Sequence, residues 1–121
     1  MEPLSLLICH NDPGTAETLA ASLTRYFNVV NRVTKCEEIR AAVRRHAVHV
    51  LVLDLETSRS DEIRRLHHEF PSLRIVATHR LADEGLWTEA MNQGADDVCE
   101  PRNEDVVRSV LRGRAHQAAA A

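Results

Sequence analysis

The sequence predicts a doubly wound α/β domain in three layers, a parallel sheet of five strands in the order 2-1-3-4-5 with helices on both faces. Two observations lead there. Apolar runs of strand length alternate with segments of helical period, the pattern of βα units that feed a parallel sheet. The run from Val48 to Leu53 is apolar almost without a break, as a strand reads when helices cover both of its faces.

The first strand is Leu4 to Cys9. Asn11-Asp12-Pro13 then opens a helix, with proline in the first turn and Ala16, Leu19, Ala20 and Leu23 on one stripe down to Phe27. Val29 to Val33 is a short second strand, and the helix from about Cys36 to His46 turns Ile39, Ala42 and Val43 inward and its arginines outward. Asp54 ends the third strand. The third helix runs from about Asp61 to Glu69 and stops before Pro71, after which Arg74 to Thr78 is the fourth strand. The fourth helix spans about Asp83 to Asn92 and closes on Gly94. Asp97 to Cys99 is a short fifth strand, and Asn103 or Glu104 starts a last helix carrying Val106, Val107, Val110 and Leu111. Residues 1–114 then form one domain, and 115–121 an alanine-rich tail, either a linker to a further domain or a remnant of cloning.

A length of 121 residues with 44% apolar content suits one domain with its own core. A net charge of −3 supplies no basic field, which argues against direct binding of nucleic acid. Cys9, Cys36 and Cys99 are an odd number without CxxC spacing, and they read as thiols in a reducing compartment. No secretory leader pattern opens the chain and no run approaches the ~18 apolar residues of a membrane span, so the expected location is cytoplasmic, off the membrane. An enzyme is not expected, because no glycine-rich phosphate loop, nucleophile with its base, or paired acid and base is present.

Ligands of open parallel sheets gather at the carboxyl ends of the strands. Those ends carry His10-Asn11-Asp12, Asp54, Thr78-His79 and Glu100-Pro101. Other features accompany them: Leu6-Leu7-Ile8-Cys9 running into that polar triplet and Pro13, Val50-Leu51-Val52-Leu53-Asp54, Asp61 seven residues later, and Ala90-Met91-Asn92-Gln93-Gly94-Ala95-Asp96-Asp97. Over nearly the whole chain this resembles the receiver domain of bacterial two-component response regulators. The resemblance implies a flavodoxin-like fold, with Asp54 at the position of the phosphoacceptor.

It also exposes departures. The family's acidic pair after the first strand, which helps hold Mg²⁺, matches His10 and Asn11 here. Imidazole and a neutral amide suit that hard cation poorly, leaving Asp54 and the neighbouring Asp12, so Mg²⁺ binding is expected to be weak or absent. Asp12 beside Pro13 reads more readily as a helix cap. The family's lysine after the fifth strand matches Glu100 or Pro101, depending on alignment, and neither is a cation. Its hydroxyl after the fourth strand matches Thr78 or His79, and its aromatic switch position matches Val98. The loop proline after the phosphoacceptor is replaced by Ser58, and the third helix is about a turn short.

Two further groups stand out. His10, His79 and Asp54 are candidates for an N,N,O transition-metal site, against the plainer reading of unrelated polar loops. Trp87 and Met91, one helical turn apart, form a stripe beside the one that faces the core. In the family, the face of the fourth helix, fifth strand and fifth helix meets partners or a second copy. Arg44-Arg45-His46 and His67-His68 read as solvated helix faces.

The leading expectation is a degenerate receiver, or pseudoreceiver: a signalling and protein-interaction module of a two-component phosphorelay that does not depend on ordinary phosphorylation. A protein partner, a homodimer, a histidine kinase or a missing output domain are the partners this implies. A working receiver phosphorylated on Asp54, and a small-ligand or metal-binding domain, are the alternatives.

Overall fold

Alternation along the strands sorts the apolar side chains into two clusters, one on each face of the sheet. The computed structural model describes residues 4–120, with side chains described to residue 112. Its strands are β1 (Ser5–Cys9), β2 (Val29–Val33), β3 (Val50–Asp54), β4 (Arg74–Thr78) and β5 (Asp97–Cys99), all parallel, in the order β2-β1-β3-β4-β5. The helices are α1 (Pro13–Leu23), α2 (Ile39–His46), α3 (Glu62–Glu69), α4 (Glu84–Gln93) and α5 (Asn103–Ala120). Order, direction and layering agree with the expectation from sequence.

Leu6, Ile8, Val50, Val52 and Val76 pack under α1 and α5, against Ala16, Leu19, Leu23, Val106 and Val110. Their strand neighbours Leu7, Cys9, Leu51, Leu53, Ile75 and Ala77 turn the other way, under α2, α3 and α4. β1, β3 and β4 are buried along their whole length, which is why Leu6–Cys9, Val50–Leu53 and Ile75–Ala77 within them are apolar without a break. Among the described residues no helix is long and apolar enough to cross a membrane.

Several boundaries differ from the expectation for local reasons. α1 ends at Leu23, four residues short of Phe27, though Phe27 is buried in the same cluster. The second helix opens with a 3-10 turn at Cys36–Glu38 before α2 proper. β3 starts at Val50, because α2 ends on Ala47 in a left-handed conformation (φ 48°) and the Val48 amide is spent on the Val43 carbonyl at 3.1 Å. Arg44 is not a plain solvated residue: it pairs with Glu69 and stacks over Phe70 at 5.2 Å. Arg40 joins this group, bonding Glu69 at 2.6 Å and the buried Glu62 at 3.0 Å, so that cations of α2 clamp α3. Glu69 is held below the usual carboxylate range, chiefly by the Arg40 bond. α5 runs on through most of the alanine-rich tail. The division drawn at residue 114, and Ala121 with it, falls on residues whose side chains lie outside those described.

Gly94 closes α4 at φ 117°, and a Cβ there would stand 2.7 Å from Cγ of His67 on α3. Glycine is required twice over, by the left-handed turn and by the close approach of α3. Gly94→Ala is expected to cost about 1–3 kcal/mol in urea unfolding. Adding His67→Ala should recover the steric part and leave the backbone strain; a neutral Gly94→Ala would contradict this packing.

Candidate functional site

Pleating decides which side chains meet at the carboxyl ends of the strands, since residues two apart share a face. Ile8, Val52 and Val76 lie on the α1/α5 face, and His10, Asp54 and Thr78 follow each of them by two. These three converge. Asp54 is only 2% exposed; Thr78 Oγ1 donates to its Oδ1 at 3.4 Å, and Thr57 Oγ1, from the turn after β3, donates to its Oδ2 at 3.2 Å. Both contacts are long for hydroxyl donors. His10 Nε2 stands 3.7 Å from Asp54 Oδ2, while His10 Nδ1 accepts from the Asp12 amide at 3.0 Å. An accepting Nδ1 leaves the proton of a neutral ring on Nε2, the nitrogen nearer the carboxylate.

Asp12 caps α1. Its Oδ2 accepts from the Thr15 amide at 3.3 Å and the Thr15 hydroxyl at 2.5 Å, and that hydroxyl bond above all holds the carboxyl below its usual range. Asp12 and the exposed Asn11 line a cavity of about 460 Å³ over Asp54, together with Pro101.

The same parity separates the paired alternatives at the other strand ends. Thr78, and not His79, faces Asp54. His79 Nδ1 accepts from the Leu81 amide at 2.9 Å, and its ring lines a different cavity with Leu55, Ile63 and Ala90, between α3 and α4. The convergence of His10, His79 and Asp54 on one metal is therefore corrected, because His79 belongs to the opposite face of the sheet. Among the described residues no cluster of three or more histidine, cysteine or acidic side chains is arranged to hold a metal ion. Pro101 lies two beyond Cys99 and lines the Asp54 cavity, whereas Glu100 pairs with Arg102 at 2.7 Å. Val98 is buried, and its side chain joins the cluster under α4.

Four lining residues were missed from sequence: Thr15, Glu56, Thr57 and Arg80. Arg80 brings to the rim the cation that neither Glu100 nor Pro101 supplies. Its Nε bonds Glu56 Oε1 at 2.8 Å, and the pair holds Glu56 below the usual carboxylate range. Glu56, Thr57 and Arg80 sit in loops two or three residues past a landmark, where strand patterning carries no information; only the two-residue offset of Glu56 from Asp54 and of Arg80 from Thr78 pointed to any of them. Cys9, just before His10, is a buried thiol pushed up to about 12 chiefly by burial, and burial likewise raises Cys99 to about 11. Neither is a nucleophile at neutral pH. Trp87 is 45% exposed, and Met91 half-buried, on the side of α4 next to β5 and α5.

Thr78→Val removes the donor to Asp54 Oδ1 at nearly constant volume. It is expected to cost about 1–3 kcal/mol in urea unfolding at neutral pH, because a buried carboxylate oxygen loses its partner. Thr57→Val, at an exposed position, should cost less. An unchanged midpoint for Thr78→Val would show that Asp54 does not depend on this contact.

Neither a protein-family model nor a curated protein sequence matches the chain. Solved structures do. A CheY-like response regulator receiver domain protein from Methanospirillum hungatei JF-1 superposes with TM-score 0.85 at 14% identity, covering 99% of this chain and 100% of that one. A LuxR-family two-component response regulator from Aurantimonas sp. SI85-9A1 gives 0.83 at 15% identity, covering 95% and 87%. A Burkholderia pseudomallei response regulator, described with a phosphorylated aspartic acid, a calcium ion and citrate, gives 0.76 at 20% identity, covering 97% and 74%. At such identities the likeness is one of architecture, and the chain has the receiver-domain fold of two-component response regulators.

Proposed function

We propose that the chain is an atypical receiver, a pseudoreceiver: a cytoplasmic signalling and protein-interaction module of a two-component system that works without ordinary Mg²⁺-assisted phosphorylation of Asp54. It acts by binding, not as an enzyme. The observation that carries this reading is the set of groups that face the 2% exposed Asp54, two threonine hydroxyls and an imidazole. A cavity of about 460 Å³ lies over this carboxylate, but both of its oxygens are already met from within the fold.

The donor set argues the same way. Mg²⁺ asks for near-octahedral oxygen ligands, usually including carboxylates. Here the family's acidic pair is His10 and Asn11, and the nearby Asp12 carboxylate is committed to Thr15. These residues do not fit the ion. With chemistry withdrawn from Asp54, the signalling surface is the face of α4, β5 and α5, where Trp87 is exposed. A kinase, an output domain or a second copy are the partners such a module meets.

One observation favours a second reading, a working receiver. Arg80 lies at the cavity rim, where a guanidinium released from Glu56 would complement a phosphoryl group. Incubation with acetyl phosphate or phosphoramidate and Mg²⁺, followed by intact-mass measurement, separates the two. The pseudoreceiver reading predicts no added phosphoryl mass. An adduct lost in Asp54→Asn and reduced in Arg80→Ala would establish the second reading instead.

A further inference from the structure

Ser58, in the loop after β3, carries a buried hydroxyl with no hydrogen-bond partner among the described residues. Leaving such a group unmet is costly. Ser58 lines a cavity of about 260 Å³ between α3 and α4, whose walls are Leu55, Ile63, Leu86 and Ala90. One other polar side chain lines it with a group to spare. His79 Nδ1 is taken by the Leu81 amide, so the proton of a neutral ring sits on Nε2, which has no hydrogen-bond partner among the described residues.

We propose that this cavity binds a small uncharged molecule with an apolar body and one hydrogen-bonding oxygen. The body lies against Leu55, Ile63, Leu86 and Ala90, and the oxygen accepts from His79 Nε2 and meets the Ser58 hydroxyl. The site is on the opposite face of the sheet from the Asp54 side chain, so it stands whether or not Asp54 takes a phosphoryl group. Leu55 and His79 directly follow Asp54 and Thr78, and the Leu55 amide bonds the Thr78 carbonyl at 2.8 Å. Occupancy is therefore felt at those strand ends.

The remaining lining residues fix the class of ligand. Arg59 and Glu89, both exposed, bring one charge of each sign to the rim, and Arg59 Nε already stands 3.8 Å from Asp61. No net positive charge is left to hold an anion, and a lone carboxylate in water gives an amine little. Gln93 is engaged at both ends of its amide: Nε2 donates to the Ser60 carbonyl at 2.8 Å and Oε1 accepts from the Arg64 amide at 3.3 Å. That brace ties α4 to α3 and the loop before it, so the cavity is formed in advance. Its volume falls below the ~300–1,000 Å³ of drug-sized sites, which limits the ligand to about the size of one substituted ring.

The test titrates the intact, isotope-labelled chain with 4-ethylphenol, ethylbenzene and 4-ethylbenzoate. The readouts are the methyl groups of Leu55, Ile63, Leu86 and Ala90 and the His79 ring. 4-Ethylphenol is expected to bind saturably and about tenfold more tightly than ethylbenzene, which lacks the oxygen, and the charged benzoate more weakly than the phenol. Ser58→Ala should weaken the phenol about threefold or more, leave ethylbenzene unchanged, and melt no lower than the parent, since it removes a hydroxyl without a partner. Adding His79→Phe should erase the preference for the phenol. Absence of saturable shifts at these groups, equal affinity for phenol and ethylbenzene, or a preference that survives in the double variant would each overturn the proposal. Tightest binding of 4-ethylbenzoate would overturn the uncharged assignment, and a Ser58→Ala that melts lower with unchanged phenol affinity would show the hydroxyl to serve the fold instead.

Discussion

A carboxylate buried at the end of a central strand must have its charge met by the fold, and the strand ends around Asp54 are arranged to that effect. With 2% exposure, its two oxygens face Thr78 and Thr57, and His10 offers the nearest ring nitrogen. A second carboxylate in place of His10 would raise the energy of this arrangement. Two unit charges about 4 Å apart repel by about 4 kcal/mol at an effective dielectric of ~20, before hydration reduces it. An imidazole in that place avoids that repulsion, and so does an Asp12 turned outward to cap α1.

The same end of the sheet shows how far a sequence reading reaches. Strand order, layering and the position of Asp54 were legible because buried parallel strands are continuous apolar runs, and helices end on recognisable signals such as Pro13 and Gly94. The ambiguity between Thr78 and His79 arose from counting: ungapped counting from Pro71 or back from Gly94 lands on His79, and a shift of one residue gives Thr78. It dissolves once pleating is applied: Thr78 has the parity of Val76 and pairs in register with Asp54, so it shares that face. Pro101 follows from Cys99 by the same rule. Parity was readable from the sequence, and would also have removed His79 from the metal hypothesis.

What was not legible lies off the regular elements. Ala47 ends α2 in a left-handed turn without the glycine that usually marks one, so the start of β3 was drawn two residues early. Glu56, Thr57 and Arg80 enter the cavity from loops, whose course depends on the packing of α3 and α4 and not on local periodicity. Ser58 is a further case. Its place in the loop after β3 was plain, but the burial of its hydroxyl without a partner depends on how that loop folds against α3 and α4. Strained or unsatisfied groups of this kind are where local rules yield to function.

The central claim is that Asp54 belongs to the fold and not to a metal-assisted reaction, and a Mg²⁺ titration followed at the backbone amides of Asp54 and Leu55 tests it most directly. The account predicts small shifts, linear and unsaturated through ~10 mM, because the other carboxylates of the cavity are engaged, Asp12 by Thr15 and Glu56 by Arg80, and are not gathered with Asp54 as a Mg²⁺ site requires. Saturation below a few millimolar, with shifts centred on Asp54 and lost in Asp54→Asn, would contradict it.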